Sequence, residues 1–339
     1  MAFSRRNFLK ISSLLPLAGI PLSGSKAKES LSAKNLLKPK ALKKGATLGL
    51  IAPASPIYET KDFTKMLTDL KAMGFKLKLG KHVRDQRGYL AGNDADRAAD
   101  LMNMFDDPEV DGIICIRGGW GCNRILPFID FDVIKQNPKV FLGFSDITSL
   151  HMAFLKHCGL VTFHGPVGKS EWTEFTTRSF TNTIMIGEQE EHFIPEKDDD
   201  GYTITGGSAQ GNLLGGNLSV LVAMIGSNYL PSFKDSVLFL EDVGESVYRI
   251  DRMLTQLKLA GILDEIAGFV FGKCTDCSAG SNSLTLKQVF EDHIKPLQIP
   301  AFYGAMISHE DDNITLPVGL PARIDAVAKS IKVLESGVI

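Results

Sequence analysis

Cysteine is scarce in this chain, an excess of positive charge is missing, and past the first two dozen residues there is no long apolar run. Five cysteines, Cys115, Cys122, Cys158, Cys274 and Cys277, are too few for a disulfide-built scaffold, and an odd number leaves at least one unpaired. Only Cys274-Thr-Asp-Cys277 is closely spaced. A zinc site would need two further ligands nearby, and a thioredoxin-type pair would open a helix, whereas Ser278 to Ser283 reads as loop. The pair therefore reads as ordinary thiols or, in an oxidising compartment, a local disulfide. The formal net charge is −2, with no basic tail or stripe, which argues against nucleic acid and anionic membrane as partners. No repeat, heptad or low-complexity tract is present. With 44% hydrophobic and 22% charged residues, what remains describes a globular chain long enough for two domains.

The N-terminus carries the one conspicuous local signal. Residues Ser4-Arg-Arg-Asn-Phe-Leu-Lys10 place a twin arginine before the modest apolar stretch Ile11 to Leu22. That stretch is too short, and too broken by Pro16 and Pro21, to span a bilayer. A small-residue exit follows at Ser25-Lys-Ala27. The expectation is a twin-arginine signal over residues 1–27, engagement of the twin-arginine export machinery, cleavage near Ala27 and a periplasmic product without a stable membrane anchor. Cleavage there removes four cations and no acid, taking the net charge from −2 to −6.

From Ala46 short apolar runs alternate with amphipathic stretches. Runs at Ala46–Ala52, Phe75–Leu79, Gly112–Ile116, Lys139–Leu142 and Val161–Phe163 are separated by helix patterns such as Phe63, Met66, Leu67, Leu70 and the segment Asp94 to Phe105. This rhythm predicts an open parallel sheet with covering helices over residues 46–185. Residues 186–210, acidic and glycine-rich, read as the linker between domains. Residues 211–339 read as a mixed α+β domain, with runs at Val237–Leu240 and Ile266–Phe271 and a helix patterned on Val247, Ile250, Met253, Leu254 and Leu257. The fold class expected is α/β with a second, mixed α+β domain.

The chemistry concentrates at strand ends. In Val140-Phe-Leu-Gly-Phe-Ser-Asp-Ile-Thr148 a buried run hands over through Ser145 to a helix, a placement that displays a hydroxyl beside the free N–H groups of a helix start. The plainer reading is a helix cap. Arg117-Gly-Gly-Trp-Gly121 directly follows another strand, and its glycines allow a backbone to approach a ligand; no phosphate-loop spacing is present, so an oxyanion-hole donor opposite Ser145 is the alternative use. A serine nucleophile needs a base and an orienting acid. Of seven histidines, His164 in Phe163-His-Gly-Pro166 and His309 in Ile307-Ser-His-Glu310 both stand at strand ends, and the residues alone leave the two open. Glu241, closing Val237-Leu-Phe-Leu-Glu241, is the candidate acid.

These motifs, in this order, resemble the LD-carboxypeptidases, a serine peptidase family that also holds the microcin C7 self-immunity hydrolases. The resemblance rests on Ile51-Ala-Pro-Ala-Ser-Pro56, Tyr89-Leu-Ala-Gly92, Arg117-Gly-Gly-Trp-Gly121, Gly143-Phe-Ser-Asp-Ile-Thr148, Phe163-His-Gly-Pro166, Gly215-Gly-Asn-Leu218, Leu240-Glu-Asp-Val-Gly-Glu245 and His309 with Asn313. It implies an N-terminal domain of the class I glutamine amidotransferase-like or flavodoxin-like kind. It further implies a catalytic triad of Ser145, Glu241 and His309, and an oxyanion hole from the N–H of Asp146 and one from Gly118 or Gly119. Arg117, Trp120 and His164 are expected around a murein peptide substrate, with no metal, no organic cofactor and a homodimeric assembly. Trp120 stands where the family usually has Tyr, and Ser308 where Gly commonly precedes the histidine. The first departure bears on the substrate pocket, the second on the loop that aims His309. The competing expectations are an immunity-type hydrolase of an aminoacyl-nucleotide amide and, from another class, an exported two-lobed solute-binding protein.

Overall fold

The computed structural model describes residues 36–194 and 200–339; the expected export signal lies outside them. Among the described residues no helix is long and apolar enough to cross a membrane. Six strands form the first sheet: β1 (Thr47–Ile51), β2 (Lys76–Leu79), β3 (Gly112–Cys115), β4 (Val140–Gly143), β5 (Thr162–His164) and β12 (Leu316–Val318). Their order is β2-β1-β3-β4-β5-β12, with β1 to β5 parallel and β12 antiparallel to β5. Strands β3 and β4 are buried at every position because helices cover both faces of the sheet, which is why their sequences are unbroken apolar runs. The order of the parallel strands is the flavodoxin-like one. Its direction reverses between β1 and β3, so the loops leaving those strands diverge around a crevice at their carboxyl ends.

The second sheet holds β6 (Glu191–Phe193), β7 (Tyr202–Thr205), β8 (Ser208–Asn217), β9 (Ser236–Val243), β10 (Gly268–Thr275), β11 (Ala301–Tyr303), β13 (Pro321–Asp325) and β14 (Ser330–Val333). Its order is β6-β14-β13-β8-β9-β10-β11-β7. Strands β8 to β11 run parallel at the centre, and antiparallel strands close both flanks. This is the expected mixed architecture.

The expected domain boundaries need two corrections. Residues 186–210 supply edge strands β6 and β7 and the start of β8, so the stretch builds the second sheet instead of merely crossing to it. Its Gly and Asp residues signal turns, but Tyr202-Thr-Ile-Thr205 between them is β-branched and aromatic and finds a partner in β11. Nor does 211–339 stay in the second domain. β12 adds a strand to the first sheet, and the chain end ties to residues 39–41 through Ala41 N–H to Ile339 O (2.9 Å) and Ile339 N–H to Pro39 O (3.0 Å). The chain thus crosses between the sheets more than once, which fixes their mutual position.

Packing beneath Ser145 is dominated by Phe141 on β4. Its ring meets Phe154 at 5.0 Å and Phe105 at 6.0 Å, and all three are fully buried. Replacing Phe141 with Ala should destabilise the fold by about 3–5 kcal/mol, read from chemical denaturation, because the cavity lies between elements that cannot collapse into it.

Candidate active site

Strand β4 ends at Gly143, and the chain turns through Phe144 and Ser145 into a short 3-10 segment and then helix Thr148–Cys158. Ser145 takes φ +64°, a left-handed conformation that costs a non-glycine residue about 1 kcal/mol or more. The strain is held in place by what surrounds the turn. Asp146, fully buried, accepts the N–H of Cys122 at 2.8 Å and so ties the Ser145 turn to the Arg117–Gly121 turn. Burial pushes the Asp146 carboxyl up to about 6, against the opposing pull of the Cys122 hydrogen bond. Two residues before Ser145, the Gly143 carbonyl accepts from His151, whose other ring nitrogen meets Thr162 Oγ1, both at 2.8 Å. Burial drives His151 down to about 3, so it is neutral and serves as a strut.

The glycine turn lies directly against the serine. A Cβ placed on Gly118 would sit 2.8 Å from Ser145 Cβ and 3.1 Å from its Oγ, and one on Gly119 would sit 2.3 Å from Ser55 Oγ. Only glycine permits this approach. Asp146 N–H opens a helical segment, where no preceding turn offers it a carbonyl. The two turns that leave β3 and β4 therefore face each other across the hydroxyl.

Glu241 lies on β9 of the second sheet, and His309 on the loop that runs from β11 of that sheet to β12 of the first. His309 Nδ1 and Glu241 Oε2 are 2.7 Å apart, and His309 Nε2 lies 3.0 Å from Ser145 Oγ. With Nδ1–H donating to the carboxylate, Nε2 is left as the acceptor for the serine hydroxyl. Glu241 is fully buried, while the His309 side chain keeps 22% of its surface exposed. Burial alone would depress His309. The hydrogen bond and charge of Glu241, with Asp242 and Glu310 behind it, outweigh burial and raise it above its ordinary value.

Asn217 is the residue that sequence reasoning missed. It ends β8 and caps helix Leu218–Ala223, accepting the Val220 N–H at Oδ1 (3.1 Å). Its Nδ2 donates to Glu241 Oε1 (3.1 Å) and Asp242 Oδ1 (3.2 Å), so the second carboxylate oxygen of Glu241 is also satisfied. Its own N–H reaches Thr148 Oγ1 at 2.9 Å, joining the end of β8 to the start of the helix after Ser145. The signal was an Asn closing a strand after Gly215-Gly216, which reads locally as no more than a cap. Asp242 beside it is pushed up to about 7, by burial first and then by the Glu241 charge.

The three residues expected around a substrate fare differently. Trp120 is 42% exposed at the lip of the crevice, its backbone N–H on Ser55 Oγ (3.2 Å). Arg117, half-buried, donates from Nη1 to Pro56 O at 3.1 Å, with its guanidinium 5.8 Å from the Tyr58 ring. His164 requires a correction. It is completely buried, edge-on to Phe144 and Phe239, and its Nε2 meets the Ile307 carbonyl at 2.8 Å. No substrate can reach it there; it braces the loop that carries His309.

The amino-terminal half matches the family profile described as the LD-carboxypeptidase N-terminal domain over residues 48–165, and the remainder matches the LD-carboxypeptidase C-terminal domain over residues 210–324. The chain belongs to the LD-carboxypeptidase family. It is accordingly a serine-type carboxypeptidase by family, a hydrolase. The "Probable murein peptide carboxypeptidase" of Bacillus subtilis (strain 168) is 41% identical over 310 residues, covering 89% of this chain and 95% of that protein. The "Murein tetrapeptide carboxypeptidase" of Pseudomonas aeruginosa is 31% identical over 291 residues, covering 82% and 92%. Among solved structures, MccF in complex with glutamyl sulfamoyl guanosine superposes with a TM-score of 0.84 at 25% identity, covering 89% of this chain and all of the other.

Proposed function

We propose that this LD-carboxypeptidase hydrolyses the amide between the L-centre of a diamino acid and the terminal D-alanine of murein tetrapeptides. The observation that carries the reading is His309 spanning Ser145 and Glu241 across the two sheets. Ser145 Oγ attacks the scissile carbonyl as its proton passes to His309 Nε2. Charge that builds on the carbonyl oxygen falls between the N–H of Asp146 and the Gly118–Gly119 turn. His309 then hands its proton to the departing amine of D-alanine, leaving an acyl-enzyme. A water, deprotonated by the same nitrogen, releases the shortened peptide and restores the serine. Glu241 holds the ring in its working tautomer and stabilises the cation formed at each step. These steps use only the chain's own residues and water.

The twin-arginine segment supports a periplasmic site of action for the cleaved product; a homodimeric working assembly belongs to the same proposal through the family resemblance. Fractionation of cells checks the first point and light scattering of the pure protein the second.

Incubating the mature protein with defined tetrapeptides should release free D-alanine. The MccF likeness supports one other reading, hydrolysis of an aminoacyl-nucleotide amide by the same residues. A second arm therefore incubates the protein with an aminoacyl phosphoramidate of a nucleoside and assays for free amino acid. Turnover of that compound without D-alanine release would overturn the murein reading.

The base must be neutral to act. Because Glu241 holds His309 above the usual imidazole range despite burial, kcat/KM should fall as pH drops through a midpoint above about 6.5. A full pH profile checks this, and an acid limb below that value would contradict the geometry.

A further inference from the structure

His309 is gripped on both sides by one turn of the second sheet. Immediately before it, Ser308 is fully buried, and its Oγ accepts the backbone N–H of Lys273 at 2.5 Å. Immediately after it, Glu310 Oε1 accepts from Thr275 Oγ1 at 2.7 Å. Lys273 and Thr275 lie at the end of β10, where the register against β9 shifts between Phe271 and Cys274. Such an irregularity re-aims backbone groups, and here it turns the Lys273 N–H out of the ladder toward Ser308. Gly272 makes the approach possible, since a Cβ there would stand 2.3 Å from Ser308 Oγ.

The same strand end is fastened by covalent chemistry. Cys274 and Cys277 are joined in a disulfide, closing a turn that contains Thr275. That turn is also bonded to the segment just beyond Glu241, through Gly244 N–H to Thr275 O (2.8 Å) and Ser278 N–H to Glu245 O (3.1 Å). A single cross-linked turn thus touches the flanks of the base and the continuation of the strand that bears the acid.

We propose that the Cys274–Cys277 turn is a positioning device for His309, set when the disulfide is formed and slackened when it is reduced. The inference rests on His309 acting as the base. A dithiol such as dithiothreitol opens the device: one of its thiolates attacks a cysteine sulfur, a second exchange completes the reaction, and the products are two cysteine thiols and the cyclic disulfide of the reagent. The other cysteines, Cys115, Cys122 and Cys158, are buried free thiols, so the reagent has one disulfide to act on. Other supports survive reduction, namely His164 on the Ile307 carbonyl and Asn313 Nδ2 on the Ser308 carbonyl (2.7 Å). The loop therefore loosens without unfolding. The clamp is closed in an oxidising compartment and open in a thiol-reducing one.

The test compares the oxidised protein with the protein treated with dithiothreitol, using two readouts. The first is the rate at which a fluorophosphonate labels Ser145, which requires the serine–histidine pair and no particular substrate. The second is D-alanine release from tetrapeptide. Reduction should lower the labelling rate and kcat by about tenfold or more, with KM changed less than about twofold, as expected when a base is misaligned by a fraction of an ångström. In Ser308→Gly with Thr275→Val the links to the turn are gone, and the redox response should disappear; Ser308→Gly alone, which deletes only a hydroxymethyl group, should shrink it. Equal labelling of oxidised and reduced wild type would overturn the proposal. So would an undiminished redox response in either variant. Redox-dependent labelling with no D-alanine release would support the clamp and reject the murein substrate.

Discussion

Replacing Ser145 with alanine is expected to lower kcat by about six orders of magnitude while leaving the fold intact. The hydroxyl is 3.0 Å from His309 Nε2 and lies against the Gly118 turn, so its loss removes the group placed for attack between a base and a set of spare N–H donors. What remains is binding and the oxyanion turn, which sustain only a residual rate. Stability should hardly change, because serine at φ +64° already carries the penalty that alanine would carry. Glycine at the same place pays no such penalty, so Ser145→Gly should be about 1 kcal/mol more stable than wild type and equally inactive. D-alanine release and a thermal melt read both effects. A fully active Ser145→Ala protein would reject the nucleophile and return the serine to the role of a cap.

The second large effect is expected from Glu241→Gln, a change of one atom. Glu241 Oε1 faces the Asn217 Nδ2 donor at 3.1 Å, and Oε2 faces His309 at 2.7 Å. An amide in this slot is drawn to place its oxygen toward Asn217 and its NH2 toward the imidazole. His309 Nδ1 must then accept, which puts the proton on Nε2 and removes the acceptor for the serine hydroxyl. A loss of about 10⁴-fold in kcat follows from the wrong tautomer, with KM little affected. The buried cation formed during turnover also loses its counter-charge, so whatever activity survives should show its acid limb at lower pH than wild type. Activity within tenfold of wild type would mean that Glu241 serves only to anchor the strand.

Much of the site could be read from local chemistry. Ser145 stood at the junction of an apolar run and a helix pattern, Glu241 closed another run, and three glycines beside Trp120 announced a close approach. Each is a short-range signal, since a buried strand needs an apolar stretch and a tight approach needs a missing Cβ. Asn217 was overlooked for the opposite reason: its cap to Val220 is local, but its bonds to Glu241 and Thr148 reach other strands and helices. The strands inside 186–210 were hidden by their glycine and acidic neighbours, because edge strands bury too little surface to impose a strong pattern.

The sequence by itself determined most of the element types, the α/β and mixed architecture, and the placing of Ser145 and Glu241 at strand ends. The tertiary structure showed which histidine meets them. His164 and His309 both follow or precede strands, and nothing in their immediate neighbours separates them; the family resemblance pointed to His309, and the geometry gives the reason. His164 is sealed beneath Phe144 and Phe239, while His309, 164 residues from Ser145, is brought to it by the loop that runs from β11 in the second sheet to β12 in the first. Contacts at that separation depend on how β8 and β9 dock against the helix after Ser145 and on the return of β12 to the first sheet. Those are consequences of packing many buried surfaces at once, and no short stretch of chain carries them.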